Sequence, residues 1–261
     1  MSQAKDDTFC PPVTPPGKEF SSSREKSSDR FGCPLVTVII PVYNGRRYLP
    51  EAIESVLGQT YNPLELIVMD DGSIDDSGEV ARRYAPVRVH RQDHSGLGAA
   101  RNSAIAKATG RYLSFLDADD IWLPDKLDRQ LRILEAEPAL DMVFGHVEEF
   151  ISPDLDDAAR QTLLCHEGPL AGMFAGTMVV RRSSYERVGP FETDWRVGEF
   201  VDWYARAQEQ GLQSFVMPDI VLRRRLHKSN MGVRLRDARG DYARILKASL
   251  DRRRKAGKVD P

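Results

Sequence analysis

Two aspartates one residue apart, Asp117 and Asp119, follow directly on the apolar run Tyr112-Leu113-Ser114-Phe115-Leu116. Carboxylates in that arrangement suit a hard divalent cation, which neutralises a diphosphate and helps it depart. Taken alone, an Asp-x-Asp pair equally describes a helix cap or a surface turn. A second acidic pair, Asp70-Asp71-Gly72-Ser73, ends the run Leu64–Met69, and by itself it reads as a turn capping the next helix. His227 stands in Arg223-Arg224-Arg225-Leu226-His227-Lys228, where it is either a structural imidazole or a ligand in a diphosphate neighbourhood. No Cys/His set has the spacing of a tetrahedral zinc site. Ser95-Gly96-Leu97-Gly98 lacks a full G-x-G-x-x-G, which disfavours a nicotinamide cofactor; its glycines instead suit a tight strand-to-helix passage.

The elements that must position these residues read as alternating strands and helices. Leu35–Ile40 is apolar on both faces, as a central parallel strand covered by helices requires, and Pro41 is expected to end it. A helix from Tyr48 to Gln59, a strand at Leu64–Met69, a helix to Tyr84 capped by Asp75, and a short strand at Val87–Val89 follow. A helix over Ala99–Ala108 and the strand Tyr112–Leu116 complete four strand–helix units before residue 120. Asn44, Asp70-Asp71 and Asp117-Asp119 then share the carboxyl edge of the strands, where open α/β sheets bind ligands. Beyond Trp122 the pattern predicts helices at Leu123–Ala136 and Phe200–Gln210, strands at Met142–His146 and Gly176–Val180, and an irregular segment from Ser152 to Gly168.

Pro41-Val42-Tyr43-Asn44, Asp70-Asp71-Gly72-Ser73, Ala100-Arg101-Asn102, Ala108-Thr109-Gly110 and Phe115-Leu116-Asp117-Ala118-Asp119-Asp120 occur in the order and spacing of family 2 glycosyltransferases. The chain resembles that family almost continuously from Leu35 to Lys126, and more thinly through Val188-Gly189-Pro190-Phe191 and Gly198–Arg206. The resemblance implies a GT-A (Rossmann-like) fold: α/β, with a mixed, mainly parallel central sheet flanked by helices. It also implies a nucleotide-diphosphosugar donor, a UDP-sugar being the expected one, a Mn²⁺ or Mg²⁺ ion, and transfer with inversion. By position, Pro41, Tyr43, Asn44 and Gly96 belong to the donor side, and one of Asp70 and Asp71 accepts from the base imide. Arg101 lies near the base or phosphates, Asp117 and Ala118 near the ribose, and Asp119 binds metal. Related enzymes often return a late histidine to that metal, which is the place of His227.

An inverting transfer also needs a general base. Family members usually supply it from a Glu-Asp pair with an Arg six residues after the Asp. Counting back from Arg206, Glu199 holds the Glu position but Phe200 stands where the Asp normally is. Either Glu199, or Asp202 three residues further on the same helical face, is then the candidate. Trp195 and Trp203 are candidates to stack on a sugar, with burial the plainer fate of Trp203.

With 41% hydrophobic and 29% charged residues, the chain suits one globular α/β domain. Residues 1–34 read as a disordered leader, 35–240 as the transferase domain with a donor half (35–126) and an acceptor half (127–240), and 241–261 as a basic C-terminal tail. The tail reads as an amphipathic helix over Asp241–Lys258 with Leu246 and Leu250 one turn apart. A net charge of −2 argues against nucleic acid as a partner, although the chain turns basic from Arg223 onward; those arginines read as a solvated helical face or a surface for phosphates or acidic groups. Three scattered cysteines fit no disulfide framework, and no stretch of ~18 apolar residues suggests a membrane span. A cytoplasmic protein is expected, with peripheral contact at the inner membrane face and homo-oligomerisation both open. The acceptor, whether small molecule, lipid-linked sugar, peptide or protein, is not encoded in residue types. Two other classes compete: a sugar-nucleotide-binding or scaffold protein that has lost its base at Phe200, and a nucleotidyltransferase, whose Gly-rich basic loop Pro41–Arg47 matches poorly.

Overall fold

The computed structural model describes residues 33–231, 238 and 240–257. The expected leader lies outside these apart from Cys33 and Pro34, and Arg234, Arg236, Arg239 and Lys258 also lie outside them. The first half is built from β1 (Val36–Val42), α1 (Leu49–Leu57), β2 (Leu64–Asp70), α2 (Ser77–Arg82), β3 (Val87–Arg91), α3 (Leu97–Ile105) and β4 (Tyr112–Phe115). Every residue of β1 is buried, because its two faces feed two different cores. Val36, Val38, Ile40 and Val42 pack with α1, whereas Ile39 packs with Ala100 and Ala104 of α3, following the period of two along a strand. Helix α1 offers Leu49, Ala52, Ile53 and Val56, the i, i+3, i+4, i+7 stripe of an amphipathic helix.

The second half contains β5 (Ile121–Trp122), α4 (Lys126–Ala136), β6 (Met142–Ile151), α5 (Asp157–Gln161), β7 (Leu170–Gly172), β8 (Val179–Arg181), α6 (Arg182–Val188), α7 (Glu199–Glu209), β9 (Ser214–Leu226) and α8 (Gly240–Ala256). One sheet takes in both halves, in the order β3-β2-β1-β4-β8-β6-β9-β5, with β7 added beside β6. The pairs β3-β2, β2-β1, β1-β4 and β6-β9 are parallel, while β8, β5 and β7 pair antiparallel.

Several expectations need correction. Pro41 does not end β1: the strand continues to Val42 beside β2, and the β4 ladder has already stopped at Ile39, so the missing N–H leaves no ladder bond unmade. Gly176 and Thr177 belong to a 3₁₀ turn (Ala175–Thr177), and the strand begins only at Val179. The predicted helix at Leu123 starts at Lys126, because Ile121-Trp122 pair with β9 instead. Residue Asp76, in a left-handed conformation, directly precedes α2, although Asp75 does accept from the Ser77 amide (3.1 Å). The largest miss is β9, whose thirteen residues carry Arg223–Arg225 in a strand and not on a solvated helical face. Pro218 concealed it. The β6 register slips between Phe144 and Val147, and Pro218 sits opposite that irregularity, where a proline is tolerated.

Candidate active site

Residues 116–120 leave the sheet at the carboxyl end of β4 and the chain is caught again directly after them, where Ile121 and Trp122 pair with Arg223 and Leu222. This double attachment lays the end of β9 across the Asp-x-Asp segment. Asp120 accepts from the Arg225 backbone N–H (2.9 Å), and Arg225 Nε donates to the Asp119 carbonyl (3.0 Å). Burial, with the neighbouring charges of Asp119 and Asp117, pushes the Asp120 carboxyl well above the usual range. Arg225 is itself buried, lies 4.6 Å from the Tyr48 ring centroid and reaches Glu51 (2.8 Å).

Past the end of β9, His227 Nε2 stands 2.9 Å from Asp119 Oδ2, and Asn230 Nδ2 donates to the same oxygen at 3.2 Å. Ser229 occupies His227 Nδ1 (2.7 Å), which aims Nε2 at the carboxylate. A carboxylate oxygen and an imidazole nitrogen converging on one point form a donor set that Mn²⁺ or Mg²⁺ accepts, leaving the remaining positions to phosphate oxygens and water. Among the described residues no cluster of three or more His, Cys, Asp or Glu side chains forms a complete metal cage.

On the other side, Asp117 Oδ1 accepts from Arg101 Nη2 (3.0 Å) while keeping 46% of its side chain open. Arg101 was expected near the base or phosphates, but it is only 2% exposed and its other amino group pairs with Glu199 Oε1. The guanidinium sits 5.9 Å from the Phe115 ring and 5.6 Å from the Phe191 ring, and its Nε has no hydrogen-bond partner among the described residues. Arg101 thus joins the donor-side carboxylate to the candidate base within the protein. Glu199 opens α7 after Gly198 in a left-handed conformation, and among the described residues its Oε2 has no partner. Both carboxylates are buried, Glu199 at 5% and Asp202 at 1% exposure, but Asp202 has both oxygens engaged, Oδ2 by Arg206 (2.9 Å) and Oδ1 by Arg252 (3.3 Å). Two guanidinium partners occupy the carboxylate that was the rival base. Phe200 is buried against Phe144, Trp203 and Tyr204, so the family's missing Asp is replaced by a core contact. Trp203 is fully buried and donates to the Gly189 carbonyl (2.9 Å), so it stacks on no sugar; Trp195 lies beside Arg244.

At the carboxyl ends of β1 and β2, Asp70 is fully buried, accepting from the Ser73 amide (2.8 Å) and pairing with Arg91 (3.1 Å). Asp71 is surrounded by the Gln92 side chain (2.7 Å), the Ser95 and Gly96 amides (2.9 Å each) and His94 Nδ1 (2.9 Å). Its lone pairs already pin the 92–96 loop, and accepting from a base imide would require one of these donors to give way. Asn44, at φ 53°, ties the 73–74 turn through the Ile74 amide (2.9 Å). Tyr43 stacks on His94 at 3.9 Å between centroids, giving an open aromatic pair at this edge. Gly96 has φ 90° and opens α3. Ala118 packs over Gly45, where a Cβ would stand 3.4 Å away.

Sequence reading missed His94, Arg225 and Asn230. Their signal was obscured because Arg225 is brought to the Asp-x-Asp segment, with His227 just past the strand end, only once β9 is known to be a strand. The other two basic residues do not make a phosphate surface: Arg223 and Arg224 lie opposite Glu148 and Glu149 of β6 and pair with them at 3.4 and 3.2 Å.

The family model described as glycosyl transferase family 2 matches residues 37–190, more than half of the chain. A putative teichuronic acid biosynthesis glycosyltransferase, TuaG of Bacillus subtilis, is 42% identical over 149 residues, covering 50% of this chain and 59% of that protein. The glycosyltransferase GlyG of Streptococcus pneumoniae is 34% identical over 125 residues, 46% of this chain and 41% of that one. The chain therefore spans less than two thirds of either relative. Among solved structures, S. aureus TarS in complex with UDP-GlcNAc superposes with a TM-score of 0.62 at 18% identity, over 76% of this chain and 60% of that chain. The mannosyltransferase PcManGT from Pyrobaculum calidifontis, in complex with GDP-Man and Mn²⁺, gives 0.59 at 25% identity over 78% of this chain and 61% of that one. These likenesses make the architecture that of the GT-A glycosyltransferases.

Proposed function

Because the chain belongs to glycosyl transferase family 2, we propose that it is a metal-dependent, inverting glycosyltransferase that moves a sugar from a nucleotide diphosphate to an acceptor hydroxyl. The observation that carries this reading is the convergence of Asp119 and His227 (2.9 Å) on one side of the Asp-x-Asp segment and of Asp117, Arg101 and Glu199 on the other. Asp119 and His227 would hold a Mn²⁺ or Mg²⁺ ion, which when bound offsets diphosphate charge and eases its departure. Support for a divalent ion also comes from PcManGT, whose complex contains Mn²⁺.

In this reading Glu199 Oε2, the oxygen not engaged by Arg101, takes the proton of the acceptor hydroxyl as that oxygen bonds to the anomeric carbon and the bond to the diphosphate breaks. Arg101 orients Glu199 and ties its position to Asp117, beside which the donor ribose would sit. The base and ribose would lie along Pro41–Asn44 and the Tyr43–His94 pair. UDP-sugars are the first donors to test, since TarS is known with UDP-GlcNAc, with GDP-Man the second because PcManGT binds it.

The test is a screen of nucleotide sugars for metal-dependent hydrolysis and transfer, run beside Asp119→Ala. Turnover in the wild type that needs Mn²⁺ or Mg²⁺ and is abolished in Asp119→Ala, with an unchanged melting curve, supports the reading. Full activity of the variant would sink the metal assignment. Calorimetric donor binding with neither hydrolysis nor transfer would favour a sugar-nucleotide-binding protein that has lost its chemistry.

A further inference from the structure

Helix α8 is fixed to the molecule by one face only. Asp241 accepts from the backbone N–H groups of Arg196 (2.9 Å) and Val197 (3.4 Å), Ser249 donates to Glu209 (2.7 Å), and Arg252 reaches Glu209 (2.6 Å) and Asp202 (3.3 Å). Ile245 and Tyr242 lie so close to Gly198 that a Cβ there would come within 2.8 and 3.0 Å of them. This inner face therefore grips α7 and the turn directly before Glu199.

The outer face has a different chemistry. Tyr242, at the border of the inner face, and Leu246 and Leu250 follow one another at four-residue intervals and are 49%, 62% and 44% exposed. Lys247, Arg253 and Arg254 are exposed beside them. At 3.6 residues per turn these six side chains fall within an arc of about 140°. The helix's two acidic residues offset the charge only in part: Asp241 is buried and paired with Arg244, and Asp251 makes an exposed ion pair with Arg254 (3.9 Å), which leaves the face net positive. The result is an apolar stripe bordered by cations.

We propose that this face of α8 docks the protein on an anionic lipid bilayer, with Tyr242, Leu246 and Leu250 entering the headgroup boundary and Lys247, Arg253 and Arg254 meeting the lipid phosphates. A second copy of the chain is the poorer occupant. A two-fold pairing would bring the basic rows of both copies together, and three side chains fall far short of the ~800 Å² per partner of a stable interface. A soluble anion would satisfy the cations but leave the stripe in water. Docking does not depend on the transferase reading. If that reading holds, the docked helix packs on Gly198, the residue directly before Glu199, which suits a lipid-borne acceptor.

The experiment is co-sedimentation of the full chain with vesicles of phosphatidylcholine alone, and of phosphatidylcholine containing one third phosphatidylglycerol, at low and high salt. The expected result is binding to the anionic vesicles only, released by salt. The exposed double variants Leu246→Glu/Leu250→Glu and Lys247→Glu/Arg254→Glu, with wild-type circular dichroism and melting, should each lose at least about tenfold in partitioning. Wild-type protein that stays in the supernatant with both vesicles overturns the proposal, as does binding undiminished in the variants. Self-association that Leu246→Glu/Leu250→Glu abolishes, without vesicle binding, would assign the face to a second copy. Because binding is read without turnover, its failure is separate from failure of the sugar-transfer reading.

Discussion

The two candidate bases differ less in type than in what already holds them. Asp202 is buried between Arg206 and Arg252, whereas Glu199 shares only one oxygen with Arg101. Glu199→Gln should therefore lower kcat by about 10²- to 10⁴-fold with donor affinity nearly unchanged. Asp202→Asn should instead act through stability, at about 1–3 kcal/mol, because the buried carboxylate loses its charge against two part-buried guanidinium groups, of which Arg252 keeps Glu209. Because Glu199→Gln also removes a charge partner from the buried Arg101, steady-state kinetics on folded protein separate the two: kcat falls in Glu199→Gln and is kept in Asp202→Asn, and the reverse pattern would exchange their roles. Lys126 gives a prediction of another kind. It is fully buried, donates to Ser114 (3.1 Å) and Gln130 (2.8 Å), faces the Trp122 ring at 4.1 Å, and burial holds its ammonium well below the ordinary lysine range. Between that depressed value and the unfolded value of about 10.4 the unfolded chain binds one proton more, so stability rises with pH by up to ~1.4 kcal/mol per unit. Unfolding midpoints measured from neutral to mildly alkaline pH should show this rise in the wild type, and a flatter profile in Lys126→Met.

At the scale of elements, close backbone approach decides where the site residues point. Gly98 lies in the first turn of α3, three residues before Arg101, and a Cβ there would stand 2.7 Å from the Glu192 carbonyl. Backbone cannot give way as a flexible side chain can. Gly98→Ala should thus cost about 1–3 kcal/mol despite alanine's better helix propensity, and should lower kcat by moving Arg101 relative to Glu199. An unchanged melting temperature together with unchanged kinetics would show that the loop at 192 adapts. The elements of the first half were legible because each is a run of one period bounded by Gly, Pro or Asp: Leu64–Met69 before Asp70-Asp71, or Tyr112–Leu116 before Asp117. β9 was not, since Pro218 and three consecutive arginines break the strand pattern, and only the neighbouring Glu148 and Glu149 make such a strand tolerable.

Across the whole molecule, the first and second halves of the chain are joined through one sheet. β4, the last strand of the first half, pairs with β8, and the Asp-x-Asp segment is held down by β9. A fragment ending at residue 126 would expose the β4 edge and lose the cover that α6 and α7 give to Ile39, Leu113 and Phe115. It should express as an aggregate, and a monomeric fragment with a cooperative melt would contradict this single-sheet account. By itself the sequence determined the α/β class, the strands that lead to Asn44, Asp70 and Asp117, and the acidic pair at Asp117 and Asp119, because local periodicity and turn chemistry encode those features without reference to distant residues. Only the tertiary structure decided that His227 returns to Asp119 across more than a hundred residues, that Arg101 joins Asp117 to Glu199, that Asp71 is consumed by its own loop, and that Leu246 and Leu250 face outward. Those facts depend on which surfaces meet when the sheet closes, and no local pattern carries that information.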